Sequence, residues 1–207
     1  MKLIVKSKLW LLEIKNIILL TLLCSFLLFA GCVMSRPDKM VIMRALESFI
    51  LPFSGCWVAQ GLYSFVREET RELFLSFPVP RKYNGLVRIL LYYVVFSILV
   101  LAFMFFSPNI NNLLVADWLV LLSEISFWMS LGFLITITTH QIIASYAAIW
   151  AYAAAQILDS EKHFKALSIL YYPEDSGTLV IHKYGCVIII SILLILFTQS
   201  RFEKMEL

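Results

Sequence analysis

Three ionisable residues inside long apolar stretches are the side chains of this sequence best placed to do chemistry. Glu124 lies about seven residues into one such stretch, and Arg44 and Glu47 lie three residues apart near the start of another. A carboxylate in the hydrocarbon layer costs at least ~2.5 kcal/mol unless it is paired, hydrated or protonated. The pattern predicts a polar pathway, or a contact with a partner subunit. A structural hydrogen bond for Glu124, and an interfacial ion pair between Arg44 and Glu47, are the alternatives.

Other reactive side chains form no recognisable catalytic or metal-binding set. The histidines are separated along the chain, and only Asp159 and His163 have a helical spacing that a metal site could use. The four cysteines lie singly within apolar runs and form no Cys-x-x-Cys pair. No Gly-x-x-x-x-Gly-Lys-Ser/Thr phosphate loop occurs in the chain. We therefore predict no catalytic residue, no metal and no cofactor in this chain.

Composition predicts a membrane protein. Hydrophobic residues make up 61% of the 207 residues, charged residues make up 15%, and the mean hydropathy is +0.86. These values lie outside the usual range of soluble domains. The basic residues flank apolar runs and form no stripe with stacking aromatics, so we expect them to anchor the chain at the membrane surface and not to bind nucleic acid.

The apolar runs predict a single all-α domain over residues 1–207. An amphipathic stretch at 1–16 carries four lysines, which favours a helix lying on the membrane surface. The continuous apolar stretch 113–158 would measure roughly 69 Å as one helix, so it must turn back, and polar residues near 136–141 mark the place. We predict six spans, at residues 17–34, 40–66, 86–106, 117–137, 142–158 and 179–198.

The segment 67–85 is the main polar interruption between these spans. Leu73, Phe74 and Phe77 share one face of a short predicted helix. Pro78 and Pro80 end that helix, because proline removes a backbone donor and clashes with the preceding turn. A short amphipathic helix between two spans is typical of a docking element.

This segment resembles the coupling-helix loop of type 2 ABC-transporter permeases. The residues Glu72, Leu73, Ser76, Pro78, Val79 and Arg81 follow the family pattern of acidic residue, leucine, Pro-Val and basic residue, and the tail 202–207 is similar to the family's closing pattern. The resemblance implies a permease subunit of an ATP-driven exporter of an apolar or amphipathic peptide, lipid or drug. The residues that would couple to an ATPase are Glu68, Glu69, Arg71, Glu72, Leu73, Phe74, Phe77, Pro78 and Arg81.

The same resemblance implies the partners. A separate cytoplasmic ABC ATPase would bind ATP and Mg²⁺, and a second permease copy or a related permease would complete the pathway within membrane lipid. With both termini in the cytoplasm, 11 of the 17 Lys and Arg residues lie inside, which favours that orientation in the cell membrane. The alternative is a non-transporting membrane protein, such as a toxin-immunity or sensor subunit.

Overall fold

The computed structural model describes residues 43, 46–66, 83–105, 115–158 and 177–204 of the chain. The predicted surface helix at 1–16, the predicted span at 17–34, Arg44, and the coupling residues from Glu68 to Arg81 lie outside the described residues.

The described chain is helical apart from short links. Helix α1 spans Leu51–Val66 and is preceded by a π-helical turn at Leu46–Ile50. Helix α2 spans Arg88–Phe105 and follows a second π-helical turn at Tyr83–Val87. The remaining helices are α3 (Val115–Thr139), α4 (Ile142–Leu158) and α5 (Gly177–Glu203).

Three helices are long and apolar enough to cross a membrane. The qualifying segments are Gly85–Ala102, Asp117–Thr139 and His182–Glu203, which belong to α2, α3 and α5. Helix α4 has the same bounds as the segment expected at 142–158, but its apolar part, Ile142–Gln156, is shorter than the ~20 residues that a 30 Å hydrocarbon layer requires. The structure therefore establishes an all-helical chain with three candidate spans.

Two differences from the predicted spans bear on the site. The predicted polar segment 67–85 overlaps the π-helical turn Tyr83–Val87, which runs directly into α2. Helix α5 continues to Glu203 instead of stopping at 198. It continues because Phe202 is 1% exposed and packs edge-on against Phe133 of α3, with 6.4 Å between the ring centroids.

Helix α3 lies at the centre of the described bundle. In its apolar segment 67% of the residues are buried, compared with 39% in α2 and 22% in α5. Helices α2 and α5 instead expose rows of large aliphatic side chains, a surface that suits the hydrocarbon of a bilayer. The exposed aliphatic residues of α5 are Ile188, Ile189, Ile190, Ile192, Leu193 and Leu196.

Neighbouring helices along the chain run in opposite directions. Trp57 of α1 packs on Tyr92 and Phe96 of α2, and Gly61 accepts a hydrogen bond from Arg88, so the two helices are antiparallel. Helices α3 and α4 form a hairpin through the two-residue link 140–141. In contrast, α3 and α5 run in the same direction. The contacts between them are Val120 with Tyr184 near one end and Phe133 with Phe202 near the other.

The hairpin link has a specific backbone geometry. His140 has a φ of 55°, in the left-handed region that commonly follows the last residue of a helix. Its N–H donates to the carbonyl of Thr136 at 3.0 Å. The hydroxyls of Thr136 and Ser145 lie 3.0 Å apart, and this hydrogen bond joins α3 to α4 beside the link.

Hydroxyl side chains inside the bundle bond mainly to their own helix. Each donates to a backbone carbonyl three or four residues earlier, at 2.6–2.8 Å. This arrangement satisfies a buried hydroxyl without a partner from another helix. The residues are Ser54, Ser123, Ser130, Thr136, Ser191 and Thr198.

Helices α1 and α3 meet at two glycines. A Cβ atom placed on Gly132 would overlap the backbone carbonyl of Gly55, and one placed on Gly55 would overlap the carbonyl of Trp128. Only the absence of a side chain allows the two backbones to approach this closely, as is common between membrane helices. By contrast, a Cβ on Gly185 of α5 would have no atom within 4 Å.

The glycine contact predicts opposite effects of one substitution at two sites. Gly132→Ala forces the α1 and α3 backbones apart, so we expect a loss of about 1–3 kcal/mol in the free energy of unfolding. Gly185→Ala is the matched control, and we expect it to be neutral or stabilising by up to about 1 kcal/mol, because alanine is the better helix former. Thermal unfolding of the purified protein in detergent measures both. Equal unfolding midpoints for the two variants would contradict the described crossing.

Candidate functional site

The described structure brings Glu124 next to two other charged residues. Glu124 of α3 interacts electrostatically with Glu47, from the π-helical turn before α1, and with Lys183 of α5. Glu124 and Glu47 are 1% and 2% exposed, and Lys183 is partly buried. We call Glu47, Glu124 and Lys183 the charged cluster. Of the three candidate pathway residues, Glu47 and Glu124 belong to it, and Arg44 is outside the described residues.

Three helices that run in the same direction position the charged cluster. Gly132 lies about two turns after Glu124, and Gly55 lies about two turns after Glu47. Because the two glycines are in contact, Glu124 and Glu47 lie at the same level of the bundle. Helix α5 brings Lys183 to the same level through Tyr184, which is 3% exposed and packs on Val120. Helices α3 and α5 and the π-helical turn before α1 therefore contribute one charged side chain each to the cluster.

The charged cluster contains a carboxylate oxygen without a described partner. Atom Oε1 of Glu124 is buried and accepts no hydrogen bond from any residue that the structure describes. Glu47 and Lys183 each take part in further interactions. A buried carboxylate with an unsatisfied oxygen costs more than a paired one, so Glu124 is energetically unfavourable at this position. Such residues in membrane helices commonly serve transport or assembly.

Aromatic side chains lie beside the charged cluster. Trp128 follows Glu124 by four residues, which places it on the same face of α3. It is 1% exposed, and its ring packs edge-on to Tyr152 of α4 with 5.6 Å between the centroids. Phe127 contacts the same two rings, each at 6.0 Å. The cluster therefore borders an aromatic core instead of an aliphatic one.

A second polar contact lies at the other end of the bundle. Nη1 of Arg88 donates to the backbone carbonyl of Gly61 at 2.5 Å, and Arg88 is 2% exposed. The bond connects the start of α2 to α1 near its end, across the segment 67–82. Gly85 is buried close to the side chains of Gln199 and Phe202. The end of the segment that leads into α2 therefore also packs against α5. We call Gly61, Gly85, Arg88, Gln199 and Phe202 the loop anchor.

The sequence did not identify two of these residues. Lys183 lies within the predicted span 179–198, but nothing in its spacing connects it with Glu124. Arg88 lies at the start of the predicted span 86–106, where a basic residue is expected to anchor at the membrane surface, whereas it is buried. Nothing in the sequence around Arg88 distinguishes a buried arginine from an anchoring one.

Other chemistry is not assembled in the described part of the chain. Cys56 and Cys186 are both free thiols. Within the described ranges, no three His, Cys, Asp or Glu residues come together in a way that could hold a metal ion. Comparisons with protein-family models, with curated proteins and with solved structures find no match for this chain.

The charged cluster predicts energetic coupling between two residues on different helices. Lys183→Gln leaves two carboxylates facing each other, so we expect a clear loss of stability at neutral pH. Adding Glu124→Gln to that variant removes one of the two charges and should recover part of the loss. The thermal unfolding of wild type, both single variants and the double variant measures the coupling, which we expect to reach about 1 kcal/mol or more. Strictly additive effects would show that the two side chains do not interact.

Proposed function

We propose that this chain is a membrane permease subunit of an ATP-driven ABC exporter. In this proposal it has six spans and cytoplasmic termini. It pairs with a second permease copy or a related permease and with a separate cytoplasmic ATPase that binds ATP and Mg²⁺. The sequence 67–85 supports the proposal by its resemblance to a coupling loop.

The loop anchor is the observation that carries the proposal. A coupling loop must pass the movement of a soluble ATPase to the membrane helices, and a loop with loose ends would absorb that movement. Here Arg88 bonds to α1, and Gly85 packs against α5, so both ends of the segment are held by the bundle. Displacement of the segment would therefore move α1, α2 and α5 together.

Helix α5 offers a path from the loop anchor to the charged cluster. Gln199 and Lys183 lie 16 residues apart on one uninterrupted helix, which corresponds to roughly 24 Å along its axis. Because a helix is stiff over this length, tilting α5 at Gln199 changes the position of Lys183 relative to Glu124. In the proposed mechanism, ATP-driven movement at the cytoplasmic end alters the charged cluster, which lies towards the opposite side of the membrane.

The first test of the proposal is the docking of the ATPase. Phe74→Asp places a charge on the apolar face of the predicted coupling helix, and we expect co-purification of the ATPase to fall by at least about tenfold, as for a hot-spot residue. Phe74→Leu keeps an apolar side chain and is the matched control, which should retain the complex. The proposal is wrong if Phe74→Asp inserts normally and the ATPase still co-purifies and hydrolyses ATP as before.

The second test separates docking from coupling. Arg88→Gln removes the charged hydrogen bond to Gly61 and leaves the docking face unchanged. We expect the ATPase to stay bound. We also expect the permease to lose most of its ability to stimulate ATP hydrolysis by the ATPase. The measurement is the hydrolysis rate of the purified complex relative to the ATPase alone. An unchanged stimulation in a folded Arg88→Gln complex would remove the loop anchor from the mechanism.

A further inference from the structure

A buried amide side chain lies on the helix that packs beside Glu124. Gln156 of α4 is 8% exposed, and neither its oxygen Oε1 nor its nitrogen Nε2 forms a hydrogen bond with a residue that the structure describes. The hydroxyl of Tyr152, one turn earlier, lies close to the amide without reaching hydrogen-bonding geometry. A buried amide with both groups unsatisfied is costly, so its presence calls for a polar partner.

The packing of α3 on α4 places Gln156 at the level of Glu124. Trp128 of α3 contacts Tyr152 of α4, with 5.6 Å between the ring centroids. The two helices are antiparallel, so the turn that precedes Trp128 lies beside the turn that follows Tyr152. Glu124 begins the first of these turns and Gln156 ends the second.

The packing of α1 on α4 places Glu47 at this level as well. Phe53 of α1 packs edge-on against Trp150 of α4, with 5.1 Å between the ring centroids. Glu47 lies six residues before Phe53, and Gln156 lies six residues after Trp150. Because α1 and α4 run in opposite directions, both steps lead to the same end of the bundle. Three polar side chains from three elements therefore meet around Glu124.

The surroundings of Glu124 have opposite effects on a negative charge. Glu124 is 1% exposed within a candidate span, and its Oε1 accepts no hydrogen bond from the described residues. Hydrocarbon and the nearby carboxylate of Glu47 oppose a charge at this place, whereas the ammonium group of Lys183 attracts it. A proton cancels the charge of a carboxylate and needs no cavity, so it is the ligand that this packed position can accept.

The described titratable groups around Glu124 come from every described helix that packs on α3. Tyr93 of α2, for example, donates to the backbone carbonyl of Leu122 at 3.3 Å. Tyrosine hydroxyls are uncharged near neutral pH, so the charged neighbours are Glu47 and Lys183. Neither belongs to α3, and movement of α3 against the other helices therefore changes the charge near Glu124. The groups are Glu47, Tyr93, Tyr152, Lys183 and Tyr184, with Asp117 two turns earlier on α3 itself.

We propose that Glu124 is a proton-binding site, at which Gln156 positions the carboxyl group and Lys183 opposes the proton. Uptake from a hydronium ion forms one O–H bond on the carboxyl group and leaves a water molecule, and release reverses this step without transfer of electrons. Gln156 suits both states, because an amide can donate to a carboxylate and can also accept from a protonated carboxyl group, directly or through a water molecule. The inference goes beyond the exporter function and does not rest on it.

Infrared spectroscopy of the full chain in lipid nanodiscs tests the proposal. A protonated carboxyl group has a carbonyl stretching band that a carboxylate lacks, and this band shifts in D₂O. Exposed carboxyl groups are ionised above about pH 6.5, so a band that persists above this pH comes from a carboxyl group in an unusual environment. We expect the wild type to show such a band and to lose it on titration to higher pH.

Three substitutions assign the band. Glu124→Gln removes the carboxyl group but keeps the size of the side chain, and we expect the titrating band to disappear. Glu203→Gln is the matched control, because it makes the same change at an exposed position of α5, and the band should remain. Lys183→Gln removes the ammonium group and should move the midpoint of the titration to higher pH by about one unit or more.

Gln156→Leu tests the positioning role. A hydrogen bond to a carbonyl oxygen lowers its stretching frequency, so loss of the amide should move the band of Glu124 to higher wavenumber. Gln156→Asn keeps an amide and should move the band less. An unchanged band in a folded Gln156→Leu variant would remove Gln156 from the site.

Chemical labelling of the wild type decides if Glu124→Gln does not fold. Dicyclohexylcarbodiimide adds to protonated carboxyl groups in apolar surroundings, and peptide mass spectrometry locates the adduct. We expect labelling at Glu124 that falls as the pH rises, and labelling that leaves Glu124 unmodified would contradict the proposal. It is likewise overturned if the wild type shows no protonated carboxyl group at neutral pH, or if a folded Glu124→Gln variant keeps the titrating band. None of these measurements needs the ATPase, so the proton site and the exporter function can fail separately.

Discussion

The glycine contact between α1 and α3 is the constraint on which the described structure depends. Lipid chains are as apolar as leucine side chains, so membrane helices gain little from hiding apolar surface from each other, and close packing must hold them together. Gly55 and Gly132 allow that packing because neither places a Cβ between the backbones. The same approach brings Glu47 and Glu124 into electrostatic range. A wider crossing would leave Glu124 further from the charges of its neighbours. The glycine contact therefore determines both the packing of α1 on α3 and the distances within the charged cluster.

The sequence predicted the positions of the helices better than their arrangement. Long apolar runs locate a helix whatever its neighbours are, and the expected fifth segment has the bounds of α4 for that reason. The need for a reversal followed from length, since one helix of 46 residues would be too long, and the polar residues near 136–141 indicated its position. The hydropathy of the three candidate spans does not follow their burial, so it could not show that α3 is central and α5 peripheral. That difference arises from small residues at the α1–α3 crossing, and it requires contacts between residues more than 70 positions apart.

The candidate site was predictable in part for a related reason. A carboxylate within an apolar run is visible in the sequence, and Glu124 and Glu47 were selected on that basis. Lys183 and Arg88 lie near the ends of helices, where a basic residue is usually an interfacial anchor. Both lie near the starts of predicted spans, and only the interaction of Lys183 with Glu124 and the bond from Arg88 to Gly61 show that they face the bundle. In this chain, the burial of basic residues near helix ends is therefore the feature that is hardest to predict from the sequence.

The hydrogen bonds of the bundle indicate which parts can move against each other. Most buried hydroxyls bond within their own helix, so they neither hold two helices together nor resist their sliding. Thr136 and Ser145 are different, because their bond joins α3 and α4 next to a two-residue link, and these helices should move as one unit. At the opposite end α3 meets α5 through the packing of Val120 on Tyr184 and meets both α1 and α5 around the charged cluster. Any sliding within the described bundle is therefore expected between the α3–α4 hairpin and the other helices, and not between α3 and α4.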